Sequence, residues 1–463
     1  MRTSSKLLVI GALLALGSAA CSDWLSGPGV TNDPNAPSTA SRDQRLAAVQ
    51  AGMTAQLTGA LARTACMWMQ QCAGVDRQYA TLEKYNTTED DFDTEFSQVY
   101  SGGGLVDIRA IASDALGAGD SVYTGVAKVL EALDVGTAAD LWGDIPYSQA
   151  AGNNGTPVFD KQQDIYLRVL AVLDTAITDL AGKGSGPGGI DLWYGGDHTK
   201  WSELAHTLKA RFYLHLAERN GVPAYTSALA EANQGISSAS HDLVSFQSTV
   251  TSENNLWYQF QVVQRDTYLR MGAQLVDSIM VARNDPRLSV YFAKDGNGLY
   301  QGAVPGQAYN PATESNLADA RGGTDAGKAF RQPLATHAEV QLIIAEAAFR
   351  TGDQATALAS LNAERTTAGL PTIPNTVVDS ALVDSIMIEK YVVMFQNIET
   401  WNDYKRECRP RLVPASSAAG GQVIGRPLYG SSEANVNPNF PGEPPNALNS
   451  LNGRNWNDPD PCP

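Results

Sequence analysis

The chain is poor in the residues from which most enzyme and metal centres are built. Only five histidines occur among 463 residues. None of the sequences H-E-x-x-H, G-x-S-x-G or G-x-x-x-x-G-K-[ST] is present, which removes the zinc-peptidase, serine-hydrolase and P-loop classes. His206 and His215 stand nine positions apart, so one helix face does not present both to a metal. A calcium loop of the D-x-[DN]-x-[DN]-G type with a distal glutamate is also missing. Positive charge is scarce, with 33 Lys and Arg against 49 Asp and Glu and a formal net charge of −16. Such a chain repels phosphate backbones and does not adhere to anionic lipid by charge. It suits neutral or cationic cargo better than uronic acids. Cysteine is limited to 5 residues, none spaced as a zinc knuckle or redox pair. No catalytic residue, metal or cofactor is expected.

What the chain does have begins at its start. Arg2 and Lys6 precede the apolar run 7–16, and Gly17-Ser18-Ala19-Ala20 leads into Cys21. This is the layout of an export signal, 1–20, ending at a cysteine that becomes a lipidated first residue. The run is too short to span a bilayer, and no later stretch reaches the ~20 apolar residues a membrane helix needs. Segment 21–41 is rich in Ser, Pro, Asn and Gly and reads as a flexible tether. The remaining Cys66, Cys72, Cys408 and Cys462 form an even set in an exported chain, which suggests two disulfides. Local pairing joins Cys66 to Cys72 and Cys408 to Cys462, the second pinning a long polar tail; the spacing is compatible with other pairings.

Residues 42–463 read as one helical domain with loop-rich insertions. Apolar side chains recur at helical spacing over 43–65, 105–116, 121–141, 163–180, 200–218, 225–232, 267–282, 337–350, 353–368, 379–394 and 397–408. The segment 80–100 is acidic and less periodic. Short turns such as Thr351-Gly352 predict antiparallel helical hairpins of tetratricopeptide-like layout, so the class is all-α. The connections 142–162, 181–199, 233–266, 284–335 and 409–463 are long, and long ordered loops are often functional. The tail 431–463 is expected to wrap the surface.

Asp140 and Asp144 flank Trp142, which raises a glycosidase reading. Their setting fits better a helix-ending turn in which carboxylates bond local amides. The stretch Asp140-Leu141-Trp142-Gly143-Asp144-Ile145-Pro146-Tyr147-Ser148 closely resembles a hallmark of the SusD/RagB family of nutrient-binding outer-membrane lipoproteins. Further matching stretches run in the same order along the chain: Cys21 followed by Asn32-Asp33-Pro34-Asn35, Lys209 to Ala217, Asp285-Pro286-Arg287, Ala338 to Ala348, Glu389-Lys390-Tyr391 and Glu399 to Tyr404. The resemblance implies a helical body that presents a ligand face made of loops. It implies a lid on a TonB-dependent, SusC-like outer-membrane transporter, with oligosaccharide or peptide as cargo and no covalent step. Trp142, Pro146 and Tyr147 are expected to lock their turn against the core rather than touch cargo.

Sugar capture needs flat rings and directional polar groups. Loop aromatics next to Gly and Asn are therefore the candidate contacts: Trp193-Tyr194, Trp257-Tyr258 after Asn254-Asn255, Tyr300 and Tyr309. Trp68 and Tyr79 join them because they bracket Cys66 and Cys72, where a bridge would stiffen a recognition loop. Two other readings compete: a helical-repeat adaptor that holds another protein, and a glycan hydrolase.

Overall fold

A computed structural model describes residues 40–152, 155–415, 422–443, 453–460 and 462. The export signal, Cys21 and nearly all of the tether lie outside the described residues. Helix Arg42–Thr58 starts at Ser41, whose hydroxyl and the Gln44 side chain cap each other's backbone N–H groups. The continuous helix expected over 43–65 is instead divided at Gly59. There the backbone turns out of helical geometry before helix Ala60–Trp68.

The body is organised around helix Ser121–Trp142, buried on nearly all sides. Asp120 caps it by accepting from Tyr123 N at 3.0 Å. Its small residues let neighbours approach closely. A Cβ at Gly136 would stand 2.1 Å from Cζ of Phe212, so helix His198–His215 lies directly against this position. Gly143 ends the helix at φ 79°, a conformation that glycine adopts without penalty. Helices Leu105–Gly117 and Gln162–Leu180 flank the central one, and His198–His215 pairs with Val222–Ala232. His337–Arg350 pairs with Gln354–Thr367 through the Thr351-Gly352 turn, followed by Asp379–Val393 and Glu399–Glu407. These antiparallel pairs give the tetratricopeptide-like, predominantly α-helical body expected from the sequence. Among the described residues, no helix is long and apolar enough to cross a membrane.

Buried charges staple the helices to one another. His215 donates between two carboxylates, Asp140 at 2.8 Å and Glu399 at 2.9 Å. Arg211 grips Glu339 with two bonds of 2.8 Å. Lys390 joins Glu346 at 2.9 Å and Asp403 at 2.7 Å, and Arg406 also pairs with Glu346. Asp285 and Glu389 hold Arg283 and Arg287 together.

The expected helix over 267–282 is not continuous. Leu269–Met271 is a strand, and the helical part is the π-helix Gln274–Val281. Among the described residues there are three two-stranded ladders, Cys72–Gly74 with Leu269–Met271, Ile145–Pro146 with Phe159–Asp160, and Leu243–Val244 with Pro333–Ala335. The tail does more than wrap the surface. Asn455 Nδ2 donates to the carbonyls of Asp140 and Leu141 at 2.8 and 3.1 Å, and Asn457 Nδ2 to Tyr166 Oη and the His215 carbonyl, both at 3.1 Å. The tail thus plugs the C-terminal end of the central helix. Disulfides join Cys66 to Cys72 and Cys408 to Cys462.

Candidate functional site

The hallmark stretch is a structural lock. Trp142 is fully buried, stacks edge-on against Phe96 at 5.2 Å and donates from Nε1 to the Leu428 carbonyl at 2.9 Å. Asp140 accepts from Tyr166 and His215 rather than from local amides. Asp144 reaches across the turn to Gln162 N at 2.9 Å and Lys161 Nζ at 2.7 Å. Asp140, His215 and Glu399 are a compact carboxylate–imidazole cluster. Both imidazole nitrogens already make hydrogen bonds of ordinary length to the carboxylates, which is the geometry of a buried imidazolium. Burial alone would push this imidazole down, but Asp140 and Glu399 outweigh it and raise it to about 9.

Most of the candidate loop rings face inward. Trp68 is packed edge-on against Trp401 at 4.9 Å and donates to the Leu82 carbonyl at 3.0 Å. Asp191 accepts from the backbone of Trp193 and Tyr194 at 3.0 and 3.3 Å and from Trp201 Nε1 at 2.7 Å, which folds both rings onto Trp201. Asn255 does the same for Trp257 and Tyr258, accepting at 2.9 and 3.1 Å. Trp257 is 0% exposed, and the Tyr258 hydroxyl donates to Asp325 at 2.7 Å. In this structure these five rings have their faces against protein, so they do not form an open sugar platform. Burying such large surfaces stabilises loop closure. Tyr300 is half-buried, with the Lys294 ammonium 5.5 Å from its ring.

Half-buried Tyr309 belongs to a surface assembled from distant segments, and buried Tyr79 lies just beneath it. The Cys66–Cys72 bridge leads into strand Cys72–Gly74, which pairs antiparallel with Leu269–Met271. Val75 N donates to the Tyr268 carbonyl at 3.0 Å, Tyr309 N to the Val75 carbonyl at 3.1 Å, and Thr267 Oγ1 to Asp76 at 2.6 Å. Glu83 accepts from Gly74 N at 3.0 Å and Gly306 N at 2.7 Å, tying the 300–309 loop to the same strand. Burial pushes this carboxyl up to about 7, against the pull of those two bonds.

On this scaffold Tyr79, Phe260 and Tyr268 form a ring cluster, with centroids 4.8 Å apart for Tyr79–Phe260 and 6.1 Å for both other pairs. Arg63 lies 4.3 Å over Phe260, Arg265 lies 5.2 Å over Tyr268, and Arg270 lies 4.4 Å over Tyr309. Phe260 sits in the π-helix Gln259–Gln264, a local geometry frequent at functional sites. A hollow of about 210 Å³ opens beside the cluster between Ala55, Gly59, Arg63, Leu256, Gln259 and Phe260. It shares Ala55 and Leu256 with a second hollow of about 340 Å³ floored by Leu192, Phe246 and Leu256. The irregular connections therefore do not pack flat: segments 192 and 246–264 border a groove along the first two helices.

Sequence reading missed Arg63, Phe260, Arg265 and Tyr268. The signal was faint: Leu269, Arg270 and Met271 are all buried in their strand, and only the apolar–charged–apolar order of these three residues hints at a period of two.

The fold and this face define a helical binding protein. A model of the SusD-like family described as "starch-binding associating with outer membrane" matches residues 34–429. The chain belongs to this SusD/RagB-like family of membrane-associated nutrient-binding proteins, which are non-catalytic, so it is a binding protein and not an enzyme. Among solved structures, it is similar to a chitin-binding protein at 21% identity and TM-score 0.74, over 91% of this chain and 100% of the other. It is similar to a SusD/RagB family protein from Bacteroides thetaiotaomicron at 23% identity and TM-score 0.72, over 87% and 95% of the two chains. A chitin-binding SusD homolog from Flavobacterium johnsoniae aligns at 20% identity and TM-score 0.69, over 90% and 97%. No curated protein sequence matches the chain.

Proposed function

We propose that this chain is a surface lipoprotein that captures an oligosaccharide, or in the competing reading a peptide, and hands it to a TonB-dependent outer-membrane transporter. The lipid sits on Cys21, and residues 22–41 let the body swing as a lid while staying attached. The observation that carries the reading is the pair of adjoining hollows, about 210 and 340 Å³, opening beside the cluster Tyr79, Phe260 and Tyr268, of which Tyr268 is the half-buried member. Tyr309 and Tyr300 extend this face, while Trp68, Trp193, Tyr194, Trp257 and Tyr258 act by fixing the loops that shape it. Hollows of this size, bordered by rings and by Gln, Asn and Arg side chains, suit an extended hydroxylated ligand.

Co-purification from detergent-solubilised membranes tests the assignment. The expected result is a stable complex with a TonB-dependent barrel carrying bound glycan. A stable complex with an unrelated protein and no small-molecule cargo would favour a helical adaptor instead. Cys21→Ser is expected to leave fold and affinity intact but move the protein out of the membrane fraction; unchanged retention would refute lipid anchoring there.

A further inference from the structure

The proposed cargo face carries a charge pattern that bulk composition conceals. The chain has a formal net charge of −16, and many of its arginines are matched by acids: Arg211 by Glu339, Arg287 by Asp285 and Glu389, Arg406 by Glu346. Arg321 is buried among Tyr291, Phe330 and Phe395 instead, with Nε on Gln396. Arg63, Arg265 and Arg270 also lie over rings, but they gather around one ring cluster beside an open hollow. Among the described residues none of the three forms an ion pair; each is set over an aromatic ring instead. Glu95 feels the charge of Arg63 and Glu314 that of Arg270 without pairing to either. Asp76 is engaged by Thr267 and stands 3.8 Å from Arg77, and Asp266 is exposed. Arg270 is buried while Arg63 and Arg265 are half-buried, and ring quadrupoles return only part of what a guanidinium loses on leaving water without a carboxylate.

The donors show which of the three are free to act. Arg63 spends Nε on Tyr79 Oη at 3.0 Å, and among the described residues neither of its terminal nitrogens has an acceptor. Arg265 makes one long bond, 3.4 Å, from Nη1 to Tyr268 Oη. Arg270 is spent on the carbonyls of Asp266 and Leu269 and on Tyr309 Oη, so it contributes charge rather than contacts. The rings are not an open sugar platform, since Tyr79 and Phe260 are each 5% exposed and Phe260 is covered by Arg63. What this face offers to an incoming molecule is guanidinium edges held in place by rings.

Resting on the reading that this face holds the cargo, we propose that the cargo is an anionic glycan whose carboxylate or sulfate groups are gripped by Arg63 and Arg265. A planar guanidinium with two free N–H groups matches either oxyanion. The hollow beside Arg63 receives the adjoining sugar.

Calorimetric titration of the full-length, detergent-solubilised protein tests this. The probes are an oligogalacturonate, a sulfated galactan oligosaccharide and a neutral malto-oligosaccharide of equal length, each at low and high NaCl. One or both anionic probes should bind about ten-fold or more tightly than the neutral one, weakening with salt; which of the two does so identifies the anion. Arg63→Gln with Arg265→Gln should cost that advantage, and the single Arg265→Gln, at the more loosely held residue, should lose part of it if the double variant folds poorly. Arg→Lys at both positions should keep the salt dependence but lose affinity. Salt-insensitive preference for the neutral probe, unchanged anion binding by Arg265→Gln, or binding of none of the probes would overturn the proposal. If neutral binding is tight and is lost in Tyr268→Ala, only the anionic inference fails. If glycan binding ignores Tyr268→Ala and both arginine changes, the cargo face itself is misplaced.

Discussion

Replacing His215 by glutamine tests the buried charge network that holds the helical body. The imidazole bridges Asp140 and Glu399 at 2.8 and 2.9 Å and is 3% exposed. A rise from its ordinary value to about 9 corresponds to about 3 kcal/mol of preference for the charged form in the folded state. The depression of Glu399 to about 2 is partly the same attraction viewed from the other side, and the two are not added. A separate route gives a similar figure, because breaking a buried ion pair by removing one partner costs about 3–5 kcal/mol. His215 is raised in the fold, so its contribution is complete below the unfolded-state value near 6.5 and disappears as pH rises through 9. Urea unfolding of wild type and His215→Gln at pH 6, 7.5, 9 and 10 reads this directly, with the variant cancelling other titrations. The expected stability gap is about 3 kcal/mol at pH 6 and shrinks through pH 9. A gap that stays constant from pH 6 to 10, or one below about 0.5 kcal/mol throughout, would refute the reasoning.

The inward and outward rings should separate cleanly. Trp257→Ala empties a fully buried site and should cost about 3–5 kcal/mol in denaturant unfolding; a loss under about 1 kcal/mol would show that the ring is not core. Tyr268→Ala, at the half-buried edge of the cluster, should leave the melting temperature within a few degrees. It should weaken glycan capture about ten-fold by calorimetry, the scale of an interface aromatic anchor, and unchanged affinity would remove Tyr268 from the site. Cys462→Ser opens a link spanning 54 residues and should cost up to about 4 kcal/mol by loop-closure entropy. It should also increase hydrogen exchange of the Asp140 to Trp142 turn, since Asn455 and Asn457 no longer plug that helix end. Unaltered exchange there would mean that the tail holds itself in place.

Helices were legible where apolar spacing ran unbroken between capping residues. The limits expected for 105–116, 121–141, 163–180 and 337–350 lie within a residue of Leu105–Gly117, Ser121–Trp142, Gln162–Leu180 and His337–Arg350. The break at Gly59 was not legible because the apolar stripe continues through it. The helix expected over 267–282 failed because a three-residue strand is too short to outweigh the apolar run behind it. The loop tryptophans face inward for a shared reason. Asp191-x-Trp193 and Asn255-x-Trp257 are the same device: an acceptor that bonds the N–H groups two and three residues on. That turn rolls the tryptophan onto the body, and sequence alone marks the ring as a loop residue without saying which way it faces. The arginines were invisible as a group, since positions 63, 265 and 270 converge only through strand pairing.

The division between body and face follows from how each is held. Inside the bundle, Glu346 answers to both Lys390 and Arg406, and Glu389 to Arg283, Arg287 and Arg365. A change in any one of these strands its partners as uncompensated buried charge, so the helical body tolerates little substitution. The proposed cargo face is held mainly by backbone bonds, namely Val75 to Tyr268, Tyr309 to Val75 and the ladder between Cys72–Gly74 and Leu269–Met271. Backbone bonds do not depend on which side chains the strands carry. Half-buried Arg265 and Tyr268 can therefore be exchanged for other recognition groups without disturbing the helices behind them. The same body can thus serve cargo of different charge, and for this chain the proposed anionic cargo follows from the unpaired guanidinium groups of Arg63 and Arg265.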